Sequence, residues 1–159
     1  GASRRARNFV EDLSLPLAII EKRRMQDGSG TRQLNLIGTV EGSNAIIFDD
    51  EIDTGGTIAQ AAHFLRERGA LDVYACATHA VLSPPHGVEC MRIARLKELV
   101  VTNTVYTSPE KCDALRPFLR VLTVADLLAK VIERIHLGVS VGEMFNEEMP
   151  PAVLFTEER

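Results

Sequence analysis

Apolar positions along the 159-residue chain fall into two rhythms that alternate. Short apolar runs at Leu17-Ala18-Ile19-Ile20, Leu34 to Gly38, Ala45 to Phe48, Val73 to Thr78, Leu99 to Thr104 and Leu119 to Leu122 predict strands, and their near-continuous apolar character is that of strands buried on both faces. Other stretches are spaced for a helix. Ser3 to Asp12 carries Ala6, Phe9 and Val10 behind a capping Ser3, with Leu13 next in the same series, and Thr57 to Arg68 carries Ile58, Ala61, Ala62 and Leu65 ahead of Gly69. Pro84 to Leu96 opens on a proline pair and carries Val88, Met91, Ile93 and Leu96. The longest helix is capped by Thr123, shows an apolar face of Val124, Leu127, Leu128, Val131, Ile132 and Ile135, and stops at Gly138.

Strands alternating with helices predict one α/β domain with a mostly parallel sheet flanked by helices, in which ligands bind at the carboxyl ends of the strands. Ala45 to Phe48 is expected to be a central strand. The polar stretch from Lys22 to Gln33, with Asp27-Gly28-Ser29-Gly30 at its middle, predicts a mobile loop. The acidic, proline-bearing tail 146–159 is expected to be poorly ordered or to lie along a partner.

Composition narrows the function classes. The net charge is −4, which argues against a nucleic-acid partner. Basic residues cluster locally at Arg4, Arg5, Arg7 and at Lys22, Arg23, Arg24, a distribution suited to a small phosphorylated ligand. No apolar run approaches the roughly 18 residues of a membrane span and the first residues lack a signal-peptide core, so a cytoplasmic protein without membrane association is expected. Cys76, Cys90 and Cys112 have neither zinc-ligand nor disulfide spacing, and Cys76 is expected in the core. His63, His86 and His136 lack ligand-spaced partners, and His79, at a strand end, reads as a hydrogen-bonded structural residue.

The chemistry concentrates at Phe48-Asp49-Asp50-Glu51-Ile52-Asp53-Thr54-Gly55-Gly56-Thr57, between a strand and a helix. Amides at a helix N-terminus bind phosphate; Gly55 and Gly56 allow close backbone approach, and Thr54 and Thr57 add hydroxyl donors. Neither a P-loop nor a dinucleotide fingerprint is present. Adjacent carboxylates at Asp49 and Asp50 repel unless something binds them, and the two hydroxyls of a ribose would satisfy both. Asp53 either contacts the ligand or holds the turn.

This unit resembles the phosphoribosyl diphosphate binding motif of the type I phosphoribosyltransferase fold. Leu17-Ala18-Ile19-Ile20-Glu21-Lys22-Arg23-Arg24, Asn35-Leu36-Ile37-Gly38, Thr78-His79-Ala80-Val81-Leu82-Ser83, Val100-Val101-Thr102-Asn103-Thr104 and Ile135-His136 are similar to the C-terminal half of ribose-phosphate diphosphokinase, over about Arg5 to Phe145. The resemblance implies a domain at 1–145 followed by the tail, and a transferase of nucleotide biosynthesis that moves a diphosphoryl group from Mg-ATP to the anomeric hydroxyl of ribose 5-phosphate. It places the ribose diol on Asp49 and Asp50, and the phosphate on Asp53, Thr54, Gly55, Gly56 and Thr57. It also makes Lys22 the catalytic lysine and Arg24 a second cation at the transition state. Magnesium with ATP is the implied cofactor, no metal ligand is assigned, and a homo-oligomer is expected.

The family has a further N-terminal half carrying much of its ATP site, so this chain alone is expected to hold a sugar phosphate without turning it over. Gly142 stands where the family often has a serine tied to an effector phosphate, which argues against that form of regulation. Two other readings are a phosphoribosyltransferase consuming the same ligand, disfavoured by an aromatic content of 5%, and a non-catalytic regulatory relative, disfavoured by the presence of Lys22 and Arg24.

Overall fold

A computed structural model describes residues 14–24 and 32–145. The helix expected at Ser3 to Asp12, the middle of the polar stretch at 25–31 and the tail 146–159 lie outside the described residues.

The runs expected as strands form two sheets. Strands β1 (Ile19–Arg24) and β2 (Arg32–Ile37) make an antiparallel pair in which Ile19 faces Ile37 and Lys22 faces Leu34. Strands β3 (Ala45–Ile52), β4 (Val73–Ala80), β5 (Leu99–Thr102) and β6 (Leu119–Leu122) make a parallel sheet in that order. Helix α1 (Gly56–Glu67) joins β3 to β4, α2 (Gly87–Ile93) joins β4 to β5, α3 (Pro109–Ala114) joins β5 to β6, and α4 (Ala125–Leu137) follows β6. The result is the expected α/β architecture, a parallel sheet flanked by helices.

Three expectations are corrected. Lys22 and Arg24 belong to β1, paired with β2, because backbone pairing carries the strand past its apolar part into charged sequence. β3 likewise runs through Asp49 and Asp50 to Ile52, since Asp49 pairs with Ala77, Glu51 with His79 and Ile52 with Ala80. Among the described residues β3 is also an edge of the four-stranded sheet, paired with β4 alone. Its apolar sequence is that of a strand with covered sides, but pairing order is decided by other strands. Helix α3 was not anticipated; its six residues are too few to show a helical period, although Ser108 caps it by accepting from the Lys111 amide and Pro109 begins it.

The core sits on one face of the sheet. Val73, Ala75 and Ala77 on β4 and Leu99 and Val101 on β5 are buried, whereas the alternate positions Tyr74, Cys76 and Val100 are half-buried. Small side chains at Ala75 and Ala77 allow α1 and α2 to approach, and Ile58, Ala62, Leu65 and Met91 fill that side. Arg66 of α1 donates to the carbonyls of Ala94 and Arg95 and ties α1 to the end of α2. The apolar stripe of α4 is present as expected but has no buried member, and Leu128, Ile132 and Ile135 are exposed. Gly138 ends that helix in a left-handed conformation, φ 67°.

Candidate functional site

β3 delivers the acidic residues to the carboxyl end of the sheet, and the chain turns there into α1. A concavity of about 280 Å³ opens at this point, lined by residues 49–55, 57 and 58. Seven of the nine candidate site residues lie together here: Asp49, Asp50, Asp53, Thr54, Gly55 and Thr57 line the concavity, and Gly56 is the first residue of α1. Asp50, Asp53, Thr54 and Thr57 are exposed and Asp49 is half-buried, so the site faces solvent. The Asp50 amide donates to Asp49 Oδ1 at 2.9 Å, which fixes one oxygen of the first carboxylate.

The loop is held from behind. Leu82 N donates to Ile52 O at 2.9 Å and Ser83 N donates to Asp53 O at 3.0 Å, so the segment after β4 extends the sheet pattern up to the turn. Gly55, with φ 74°, is the N-cap of α1, and its carbonyl accepts from Ala59 N at 3.0 Å. No side chain of Gly55 exists to cap the helix, and the first turn holds no acidic residue. The positive end of a 12-residue helix therefore points into the concavity, without a carboxylate in its first turn to offset it.

The two glycines differ in their work. A Cβ on Gly55 would lie 2.8 Å from Met91 Cε and 2.9 Å from Cys90 Cβ, so Gly55 is where the loop packs on α2. A Cβ on Gly56 would meet only Thr54 Oγ1, at 4.0 Å, so the space around Gly56 is open. Gly87 was missed by sequence reasoning. A Cβ there would come within 2.4 Å of Leu82 C and 2.9 Å of Asp53 O, so this glycine lets α2 start directly against the loop's backbone. The only signal was its place just after Pro84-Pro85-His86. Glu51, Ile52 and Ile58 also line the concavity, which the strand-to-helix position of the motif could have indicated.

Lys22 and Arg24 lie on β1 as backbone, with Arg24 opposite Arg32. The residues leading into that strand, 15–20, line a second and larger cavity of about 650 Å³ that also reaches Asp49 and Thr57. The base of β1 and the acidic loop therefore border one continuous space.

At the neighbouring strand ends a hydrogen-bond network closes the carboxyl edge. Thr102 Oγ1 and Thr104 Oγ1 both donate to Thr78 O, at 2.8 and 2.9 Å, and His79 Nδ1 lies 2.8 Å from Thr104 Oγ1. With the Thr104 hydroxyl proton used on Thr78 O, His79 Nδ1–H is the donor to Thr104. This is the hydrogen-bonded role expected of His79. Among the described residues no group of three His, Cys, Asp or Glu side chains assembles as a metal site, and no helix is long and apolar enough to cross a membrane.

The family described as Phosphoribosyl synthetase-associated domain matches residues 25–146. A ribose-phosphate pyrophosphokinase of Nostoc sp. is 51% identical over 146 residues, covering 91% of this chain and 43% of its own. Its counterpart from Caldanaerobacter subterraneus subsp. tengcongensis is 46% identical, covering 91% and 44%. The crystal structure of phosphoribosylpyrophosphate synthetase from Mycobacterium smegmatis superposes with a TM-score of 0.75 at 39% identity, over 85% of this chain and 42% of that one. The chain spans less than half the length of these relatives, and these shares do not bear out the expected placement in their C-terminal half.

Proposed function

The chain belongs to the phosphoribosyl synthetase-associated domain family, and from that membership we propose that it is the sugar-phosphate-binding part of a ribose-phosphate diphosphokinase. One observation carries the reading. The acidic end of β3 and the N-terminus of α1, which has no acidic residue in its first turn, line one small solvent-facing concavity. Carboxylates and helix amides are complementary to the two ends of ribose 5-phosphate, hydroxyls at one and phosphate at the other.

In this reading Asp49 and Asp50 accept from the ribose hydroxyls. Thr54 to Thr57, introduced by Asp53, receive the phosphate through backbone amides and the two threonine hydroxyls. The Asp50 amide on Asp49 Oδ1 leaves Asp49 oriented before ligand arrives. The sugar's anomeric hydroxyl attacks the β-phosphorus of ATP; a new O–P bond forms there, the bond from that phosphorus to the α,β-bridging oxygen breaks, AMP leaves with that oxygen, and the hydroxyl proton passes to solvent. Lys22 and Arg24 supply cations to this transfer, in which charge stabilisation and positioning do most of the work. ATP carries magnesium, which usually keeps water and nucleotide phosphates as ligands and takes only one or two carboxylates from a protein. The concavity is lined by the carboxylates of residues 49–51 and 53, a donor set that would suit such limited help. Because the chain spans under half of its relatives' length, it binds the acceptor sugar alone and turns over only when the rest of the enzyme is supplied.

Calorimetric titration with ribose 5-phosphate tests this directly. Saturable binding by the chain, weakened in Asp50→Asn, is the expected result. Absence of binding, or binding indifferent to Asp49→Asn and Asp50→Asn together, overturns the assignment.

A further inference from the structure

Leu82 is a buried leucine with φ 50°, a left-handed backbone that bulky L side chains rarely adopt. The hydrogen bonds around it account for the conformation. In a strand successive N–H groups point to opposite sides, so a neighbouring strand receives only every second one. Here two successive amides, Leu82 N and Ser83 N, both donate to the end of β3, at Ile52 O and Asp53 O. The left-handed turn at Leu82 lets both point the same way. Strain of this kind persists only where surrounding contacts hold it.

Two contacts hold the 81–83 segment in place. Ser83 O accepts from Gly87 N at 2.8 Å, where α2 begins. From the other direction Lys111 Nζ of α3 donates to Val81 O at 2.9 Å, across thirty positions of sequence. Lys111 is itself anchored through both polar groups of its backbone. Its amide is the one capped by Ser108 Oγ, at 3.5 Å, and its carbonyl accepts from Leu115 N at 3.1 Å, next to a fully buried Leu115 side chain.

The Val81–Leu82 peptide is a planar trans unit, so its C=O and N–H point in opposite directions. The C=O meets Lys111 and the N–H meets Ile52 O. A run of hydrogen bonds therefore passes from the ammonium, through one peptide plane, into the Ile52–Asp53 plane where the ligand turn begins. Hydrogen bonds in such a run polarise one another, and the bond from a charged donor is the strongest of them. Lys111 lines neither cavity, so its effect on the site passes through Val81.

We propose that Lys111 is a positioning residue for the sugar-phosphate turn. Its ammonium, through the Val81 carbonyl, keeps Leu82 left-handed and thereby sets the Ile52–Asp53 peptide on which the concavity is built. The connection between β5 and β6 is then part of the support of the ligand site, although it contributes no lining residue. This role rests on the sugar-phosphate reading of the concavity, and its test includes a readout that needs no ligand.

Nuclear magnetic resonance of the 159-residue chain reads the relay directly. Lys111→Met keeps the apolar stem and removes the donor. In that variant the Leu82 amide nitrogen is expected to move upfield as its peptide loses the charged partner, and the Leu82 and Ser83 amides to exchange about tenfold faster. Affinity for ribose 5-phosphate, measured by calorimetry, is expected to fall about tenfold. Lys111→Arg restores a cationic donor and should recover both the shift and the affinity, which a role in packing alone would not require. Lys111→Gln, neutral and shorter, replaces the methionine variant should that one fail to fold. Unchanged Leu82 and Ser83 signals in the neutral variant, affinity equal to the parent's, or an arginine variant no better than the neutral one overturns the role. A parent chain that binds no sugar phosphate defeats the ligand reading alone, while the Leu82 and Ser83 signals still decide whether Lys111 sets the turn.

Discussion

Gly55 and Met91 are in such close register that a single methyl on the glycine would sit 2.8 Å from Met91 Cε. The same residue holds φ 74°, a conformation that L side chains adopt at a cost. Gly55→Ala is therefore expected to destabilise the fold by about 1–3 kcal/mol, from combined overpacking and backbone strain. Gly56→Ala, with open space around its position, is expected to change stability by under about 0.5 kcal/mol. Urea denaturation of both variants checks the contrast, and equal effects would refute the division of labour between the two glycines.

Gly87 is the more severe case. Its added methyl would overlap backbone atoms of Leu82, which cannot rotate aside as a methionine tip can. Gly87→Ala is expected to cost about 3 kcal/mol or more. It should also loosen ribose 5-phosphate binding, because displacement of the 82–83 segment disturbs the two bonds that hold Ile52 and Asp53. A variant with native stability and native binding would show that this contact relaxes freely.

Removing charge from the acidic pair separates binding from folding. Asp50 is exposed, so Asp50→Asn should leave the melting temperature nearly unchanged. A hydrogen bond to a charged group contributes about 1.5–3 kcal/mol, so affinity for ribose 5-phosphate should fall by roughly ten- to a hundredfold. Calorimetry and thermal scans on one sample distinguish the two effects.

Asn103 couples the end of β5 to the start of α4. Its Oδ1 accepts from Val124 N at 3.0 Å, and its Nδ2 donates to Thr123 Oγ1, which in turn accepts from Ala125 N at 3.1 Å. The N-cap position is Val124 and not the expected Thr123, whose hydroxyl accepts from Ala125 N from one residue further out, while Asn103 holds the Val124 amide. Asn103→Ala should cost about 1 kcal/mol, as loss of a hydrogen bond does, with the amides of Val124 and Ala125 exchanging faster. Unchanged exchange there would show that Asn103 does not hold the start of α4.

Burial, and secondarily the nearby Glu98 carboxylate, pushes the Cys76 thiol above its ordinary value. A group that holds its proton more tightly when folded stabilises the fold fully at pH below its unfolded value, and that contribution is lost as pH rises through the folded one. Stability should thus decline at alkaline pH, above the ordinary thiol range, and Cys76→Ala should reduce that decline. Denaturation midpoints followed from pH 7 to 10 check it; identical pH profiles would count against the shift.

The site was more legible than the sheet around it. Asp49 to Thr57 form one contiguous segment between a strand and a helix, so spacing alone brings its carboxylates, glycines and hydroxyls to one place. Strand periods, the Gly69 and Gly138 terminations and the alternation that defines an α/β domain are likewise local and were read directly. Lys22 and Arg24 were misread as loop because charge is a poor guide to strand ends, which backbone pairing decides. The glycine at 87 escaped notice because its necessity lies in an approach to Leu82 and Asp53, about thirty positions from the latter in sequence.

By itself, then, the sequence determined the elements, the class of fold and the chemistry of the turn after Phe48, all set by neighbours within a few residues. Only the tertiary structure decided that β3 stands at an edge among the described residues, that Gly55 serves packing while Gly56 has open space around it, and that an apolar gap runs beside the acidic loop. Those features depend on which strands lie next to one another and on how closely α2 approaches the turn, and such long-range contacts leave no period in the chain.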